Sequence, residues 1–180
     1  MNVLRDGLLD GRAIALVGDA LAPRLERLGA RVEPVPDPDG DEERVGEWAR
    51  TAAPLSALVY DARPAFGSGG DAALTESLER GWVAVREVAT GALIPAEAGK
   101  VVLVGPHAGA GPRAEAARAG LENLARTLSI EWARHGVTAA MVAPGPSTTE
   151  AQLAELVCFL VSPAGEYLTG CRLELGATAV

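Results

Sequence analysis

Lys100-Val-Val-Leu-Val104 is followed, after Gly109-Ala-Gly111 and Pro112, by Leu121, Leu124, Leu128 and Trp132, and then by Val137-Thr-Ala-Ala-Met-Val142. The two apolar runs read as strands covered on both faces, and the leucines, spaced three or four apart, as one face of a helix between them. Pro112 suits the first turn of that helix, and His135-Gly136 closes it. Such a βαβ unit predicts a parallel sheet. Working outward, the same alternation recurs. Arg12-Ala-Ile-Ala-Leu-Val17, Arg31 to Val35, Ser56-Ala-Leu-Val-Tyr60 and Arg172 to Leu175 read as further strands. Helices are expected over Leu21–Leu28, from Asp41 to a stop before Pro54, along Leu74, Leu78, Trp82, Val85 and Val88, and from Ser147 through Leu160. Ser147 and Glu150 have the spacing of a capping box for the last of these. The expected architecture is a three-layer α/β/α sandwich over residues 1–180, a single domain with a mostly parallel sheet.

Composition narrows the function classes. The 180 residues are 48% hydrophobic and 22% charged, and 24 acids against 16 bases give a net charge of -8. Nucleic acid and anionic membrane surfaces both demand a basic footprint, so neither is expected as a partner. No apolar run approaches the roughly 20 residues of a membrane span, and the N-terminal stretch lacks the apolar centre of a signal peptide. Cys158 and Cys171 lie in apolar stretches and read as reduced, buried thiols of a cytoplasmic protein. Two histidines and two cysteines at unrelated positions give no metal-ligand spacing. Lys100 is the only lysine, and Tyr60, Tyr167, His107 and His135 complete the tyrosines and histidines. Any chemistry that needs these residue types must use one of these five. His135, at a helix C-terminus, reads as a structural cation.

Three stretches resemble the short-chain dehydrogenase/reductase family. Ala117-Arg-Ala-Gly-Leu-Glu-Asn-Leu-Ala-Arg-Thr-Leu-Ser-Ile-Glu-Trp132 resembles the helix that bears the family's active-site tyrosine and lysine. Gly136-Val-Thr-Ala-Ala-Met-Val-Ala-Pro-Gly145 is similar to the strand that ends in Pro-Gly beside the nicotinamide. Phe159 to Leu175 is similar to the last helix and strand. The resemblance implies a Rossmann-like sheet, NAD(P) and oxidoreductase chemistry. It also implies an edge strand and a substrate-covering lid, for which this chain has no room: one helix fits between the second and third strands, and the last helix follows Pro144-Gly145 directly.

Carried over residue by residue, the family's tyrosine falls on Ala114, its lysine on Arg118, its serine on Pro106 and its helical asparagine on or near Leu78. General acid catalysis contributes about 10²–10⁴-fold, and no group of the right kind stands at these positions to supply it. Arginine stays protonated and cannot join a proton relay. The cofactor positions Gly18, Asp19, Tyr60 and Arg118 are degenerate too. Gly18 is a lone glycine in a link about six residues shorter than a G-x-G-x-x-G turn, and Asp19 opposes phosphate charge. The resemblance therefore implies a family member without its catalytic site, for which neither cofactor nor metal is expected. Its partners would be a second copy or a catalytically competent relative, because the helices that dock subunits in the family remain full length. The alanines of Ala114, Ala117 and Ala119 fit close helix approach, or simply helix propensity. A different chemistry would gather His107, Asp61, Arg63 and Arg113 at the carboxyl ends of the strands for cofactor-independent acid–base work. The alternatives for these residues are a solvated histidine and an Asp61–Arg63 pair across the vacated site. Tyr60 would set a bulky ring beside the crevice. An NAD(P)-dependent oxidoreductase with a non-standard site is the remaining reading.

Overall fold

The computed structural model describes residues 3–39 and 41–176. Six strands, β1 (Ala13–Val17), β2 (Arg31–Pro34), β3 (Ala57–Asp61), β4 (Gly99–Val104), β5 (Val137–Pro144) and β6 (Cys171–Leu175), form one sheet in the order β2-β1-β3-β4-β5-β6. Every pairing is parallel, with Val17 opposite Tyr60, Asp61 opposite Val104, and Val104 opposite Val142. β2, four residues ending on Pro34, is one margin of the sheet.

The alternation of strand side chains builds two cores. Leu58, Tyr60, Val101 and Leu103 face helices α2 (Glu42–Ala52), α4 (Asp71–Val88) and α5 (Ala114–Glu131). Val59, Val102, Val104 and Val142 face α1 (Ala22–Arg27) and α6 (Glu150–Val161). Both faces of the parallel sheet are thus covered, as continuous apolar strands require. α3 (Arg63–Phe66) is a single turn directly after β3. α4 ends in a π-helical turn, Ala89–Leu93.

Two local expectations change, at the start of α6 and at Cys171. α6 is capped by Thr149 and Gln152 rather than Ser147 and Glu150: the Thr149 hydroxyl accepts from the Gln152 amide while the Gln152 side chain accepts from the Thr149 amide. Two overlapping frames satisfied the capping pattern, and Thr148 bonding to the Leu175 carbonyl holds the chain back until the second. Trp82 stands outside the core, on the outer side of α4. It is 41% exposed beneath the Arg86 guanidinium, 5.8 Å from its ring, and the inward stripe of α4 runs through Ser77, Gly81, Ala84, Val85 and Val88. Cys158 is buried, but Cys171 on the last strand is only half-buried.

Candidate functional site

In a parallel α/β sheet the carboxyl ends of the strands carry the site, because the loops there splay apart where the strand order reverses. β1, β3, β4 and β5 supply those ends here. The apolar runs end on Val17, Tyr60, Val104 and Pro144, each followed by a glycine or an acid, so the polar groups at the rim are those of the strand tips and the connecting loops.

At the rim of β4 and β5, Arg118 projects from the first turns of α5. Its Nη1 donates to the Pro106 carbonyl at 2.8 Å and to the Pro144 carbonyl at 2.7 Å. The guanidinium is buried. Its Nε lies 3.3 Å from Glu115 without a hydrogen-bond geometry, and Nη2 lies 3.8 Å from Glu174. Burial lowers the pKa of Arg118 from its ordinary value. Gly105 leaves room for this packing: a Cβ there would stand 2.4 Å from Met141 Cε and 3.4 Å from Arg118 Cγ. One turn before Arg118, the Ala114 methyl is buried against Phe66 and Ala117. The space is therefore filled by an arginine brace and an aromatic ring, with no hydroxyl at Ala114 or Pro106 to hold an oxygen.

His107 is half-buried, and its Nδ1 lies 2.9 Å from the Gly145 carbonyl, which requires that nitrogen to carry the proton. The ring tethers the β4 loop to the Pro-Gly end of β5. Arg113 enters α5 in the left-handed conformation, φ 71°, and its Nε donates to Asp71 at 2.6 Å, at the start of α4.

β3 carries the second cluster. Asp61 is buried, with its carboxylate held by Arg63 through Nε at 2.8 Å, Nη2 at 2.7 Å and the backbone amide at 3.0 Å. The same guanidinium reaches Glu150, the first residue of α6, through Nη2 at 3.1 Å and through Nη1. Burial alone would lower the Arg63 pKa, but the hydrogen bonds it donates to both carboxylates raise it. Gly18 supports Asp61 from below: its φ is +95°, and a Cβ would come within 3.2 Å of Asp61 Cβ. The Asp61–Arg63 pair read from the sequence is thus present, and Glu150 extends it into a clamp from the end of β3 to α6. A second arginine clamp stands nearby, where Arg80 joins Glu76 of α4 at 2.6 Å to Asp37 beyond β2. Between the two lies a hollow of about 350 Å3 bordered by Gly18, Asp37, Asp61 and Glu76.

Tyr60 borders that hollow too, from within the core. Its ring is buried beneath α4, and its hydroxyl donates to the Ser77 carbonyl at 2.6 Å. Burial raises the phenol pKa well above its ordinary value. Gly81 makes the fit possible, since a Cβ there would meet the Tyr60 ring at 2.9 Å. Leu78 packs against α5 at Gly120, where a Cβ would meet its methyl at 2.8 Å.

The first strand–helix link decides whether a dinucleotide diphosphate fits. Such a group needs free amides at a helix N-terminus. Here the Ala22 amide donates to the Asp19 carbonyl at 3.1 Å, Pro23 has no N–H, and the Arg24 amide donates to the Leu21 carbonyl at 3.3 Å. Asp19 is exposed at the rim of that link. These residues do not fit a diphosphate, and the Arg63–Glu150 clamp adds a carboxylate beside it. Among the described residues no group of three His, Cys, Asp or Glu side chains is placed to hold a metal ion. Among them, too, no helix is long and apolar enough to cross a membrane.

Sequence reading located Arg118, Ala114, Pro106, Asp61 and Arg63, but it missed Phe66, Ser77, Gly81 and Glu150. Gly81, a glycine in the middle of a helix, was the one available signal, because that position costs stability unless something packs there.

No family model and no curated protein matches the chain at the level of sequence. Solved structures do match. A citronellol catabolism dehydrogenase of Pseudomonas aeruginosa is 21% identical with a TM-score of 0.76, the match covering 96% of each chain. An oxidoreductase of the short-chain dehydrogenase/reductase family from Burkholderia thailandensis is 24% identical with a TM-score of 0.75, covering 91% of this chain and 90% of the other. A structure from Beutenbergia cavernae with bound NADP is 20% identical with a TM-score of 0.73, covering 92% and 95%. At such identities the likeness is one of architecture, and it is consistent across all three: this chain has the fold of the short-chain dehydrogenases/reductases.

Proposed function

We propose that this chain is a degenerate member of the short-chain dehydrogenase/reductase family that serves as a non-catalytic subunit, associating with itself or with a catalytically competent relative in the cytoplasm. The observation that carries the reading is the Arg118 brace. Where a reductase needs a lysine beside a tyrosine, one guanidinium nitrogen is committed to the Pro106 and Pro144 carbonyls, next to the methyl of Ala114. The Asp61–Arg63–Glu150 clamp, the exposed Asp19 and the occupied amides of the first turn of α1 support the same conclusion for the cofactor. Association is supported by the length of α4 and α5, 18 residues each, and by Trp82 and Ile130, which they hold 41% and 79% exposed. The test is titration of the purified chain with NADH and NADPH, followed by nicotinamide fluorescence, together with isolation of the complex from the native host. No saturable fluorescence change and co-isolation of a second copy or an intact reductase are expected. Saturable binding of either nucleotide, or a monomer under native conditions, overturns the proposal.

A further inference from the structure

At the amino ends of the strands, opposite the rim described above, a cavity of about 510 Å3 lies among the starts of β1, β3, β4 and β5. Arg12 and Lys100 line it, with a single carboxylate, Glu166. Lys100, the only lysine, is 8% exposed. It donates to the Leu160 carbonyl at 3.3 Å and to that of Ser162, at the end of α6. An ammonium has three N–H groups, so one remains. Capping α6 accounts for the two donations, but it does not account for Arg12. Among the described residues neither cation has a carboxylate within ion-pair distance, and Glu166 acts on Lys100 only from farther away. Burial and the like charge of Arg12 both lower the Lys100 pKa. The Ser56 and Thr138 hydroxyls also line the cavity, and among the described residues they make no hydrogen bond. Two cations held near each other with one carboxylate beyond ion-pair distance, beside two idle hydroxyl donors, form a set complementary to an anion. A planar guanidinium fork matches a carboxylate in two-point contact, and the apolar wall at Leu55 suits a carbon body.

We infer that this cavity binds a small organic acid, its carboxylate held by Arg12 and Lys100. Because Lys100 is unique, [13C]lysine labelling gives one Hε–Cε signal that reports on the cavity in the whole, unmodified protein. Titration with succinate is expected to shift that signal saturably. Succinamide, the same size without charge, is expected to leave it in place, and Arg12→Gln is expected to weaken the succinate response at least tenfold. No saturable shift with succinate, an equal shift with succinamide, or an undiminished response in Arg12→Gln overturns the inference. Inorganic phosphate is titrated in parallel, and a response to phosphate without one to succinate also overturns it.

Discussion

Arg118 holds two loops together from a position that otherwise would serve chemistry. A hydrogen bond from a charged donor contributes about 1.5–3 kcal/mol, and removing it leaves a buried carbonyl unsatisfied. Arg118→Met keeps the apolar stem and deletes both donations to Pro106 and Pro144. It is expected to destabilise the fold by about 3 kcal/mol in urea unfolding, without creating nucleotide binding; a change below about 1 kcal/mol would mean the brace is incidental. The place of this arginine was legible in the sequence, because the resemblance to the family's helix puts the lysine position there. Its acceptors were not, since they are carbonyls 12 and 26 residues away, and backbone groups carry no signature in residue type. Glu150 was hidden for the same kind of reason, standing 87 residues from Arg63 and looking from sequence like half of a capping box.

At the scale of elements, the strands were legible nearly to the residue, since burial on both faces demands unbroken apolar runs. The inner face of α4 was not. Ser77 and Gly81 occupy it, the first lending its carbonyl to Tyr60 and the second yielding space to the ring, whereas apolar spacing favoured Trp82. Gly81→Ala tests this packing. Its new methyl would stand 2.9 Å from Tyr60 Cε1, so overpacking is expected to destabilise the protein by about 1–3 kcal/mol despite the better helix propensity of alanine. In a Tyr60→Leu background the same change is expected to cost less, or to stabilise, and equal costs in the two backgrounds would refute the packing argument. The short helix α3 has no signature in the sequence because four residues hold no period. Phe66 on it closes the space over Ala114 all the same.

For the whole molecule, pH stability reports on the core between the sheet and α6. Burial raises the Cys158 thiol from its ordinary 9.0 to about 12. The folded state therefore holds a proton that the unfolded chain releases above pH 9, and stability falls as pH rises through the window from 9 toward 12. Relative to Cys158→Ala, the wild type is expected to lose about 1.4 kcal/mol between pH 8 and pH 10, read from denaturant midpoints. Parallel profiles would show that the thiol is more open to water than its packing implies. The margin at β2 bears on the molecule as a whole as well. A parallel sheet that ends early leaves a ladder of amides and carbonyls able to recruit a neighbour's backbone. β2 answers with brevity, with the Arg31–Glu33 ion pair along it, and with Pro34, which has no amide to offer. Strand-to-strand polymerisation through this margin is thereby discouraged, and β6 is left as the edge at which a neighbour's backbone could add.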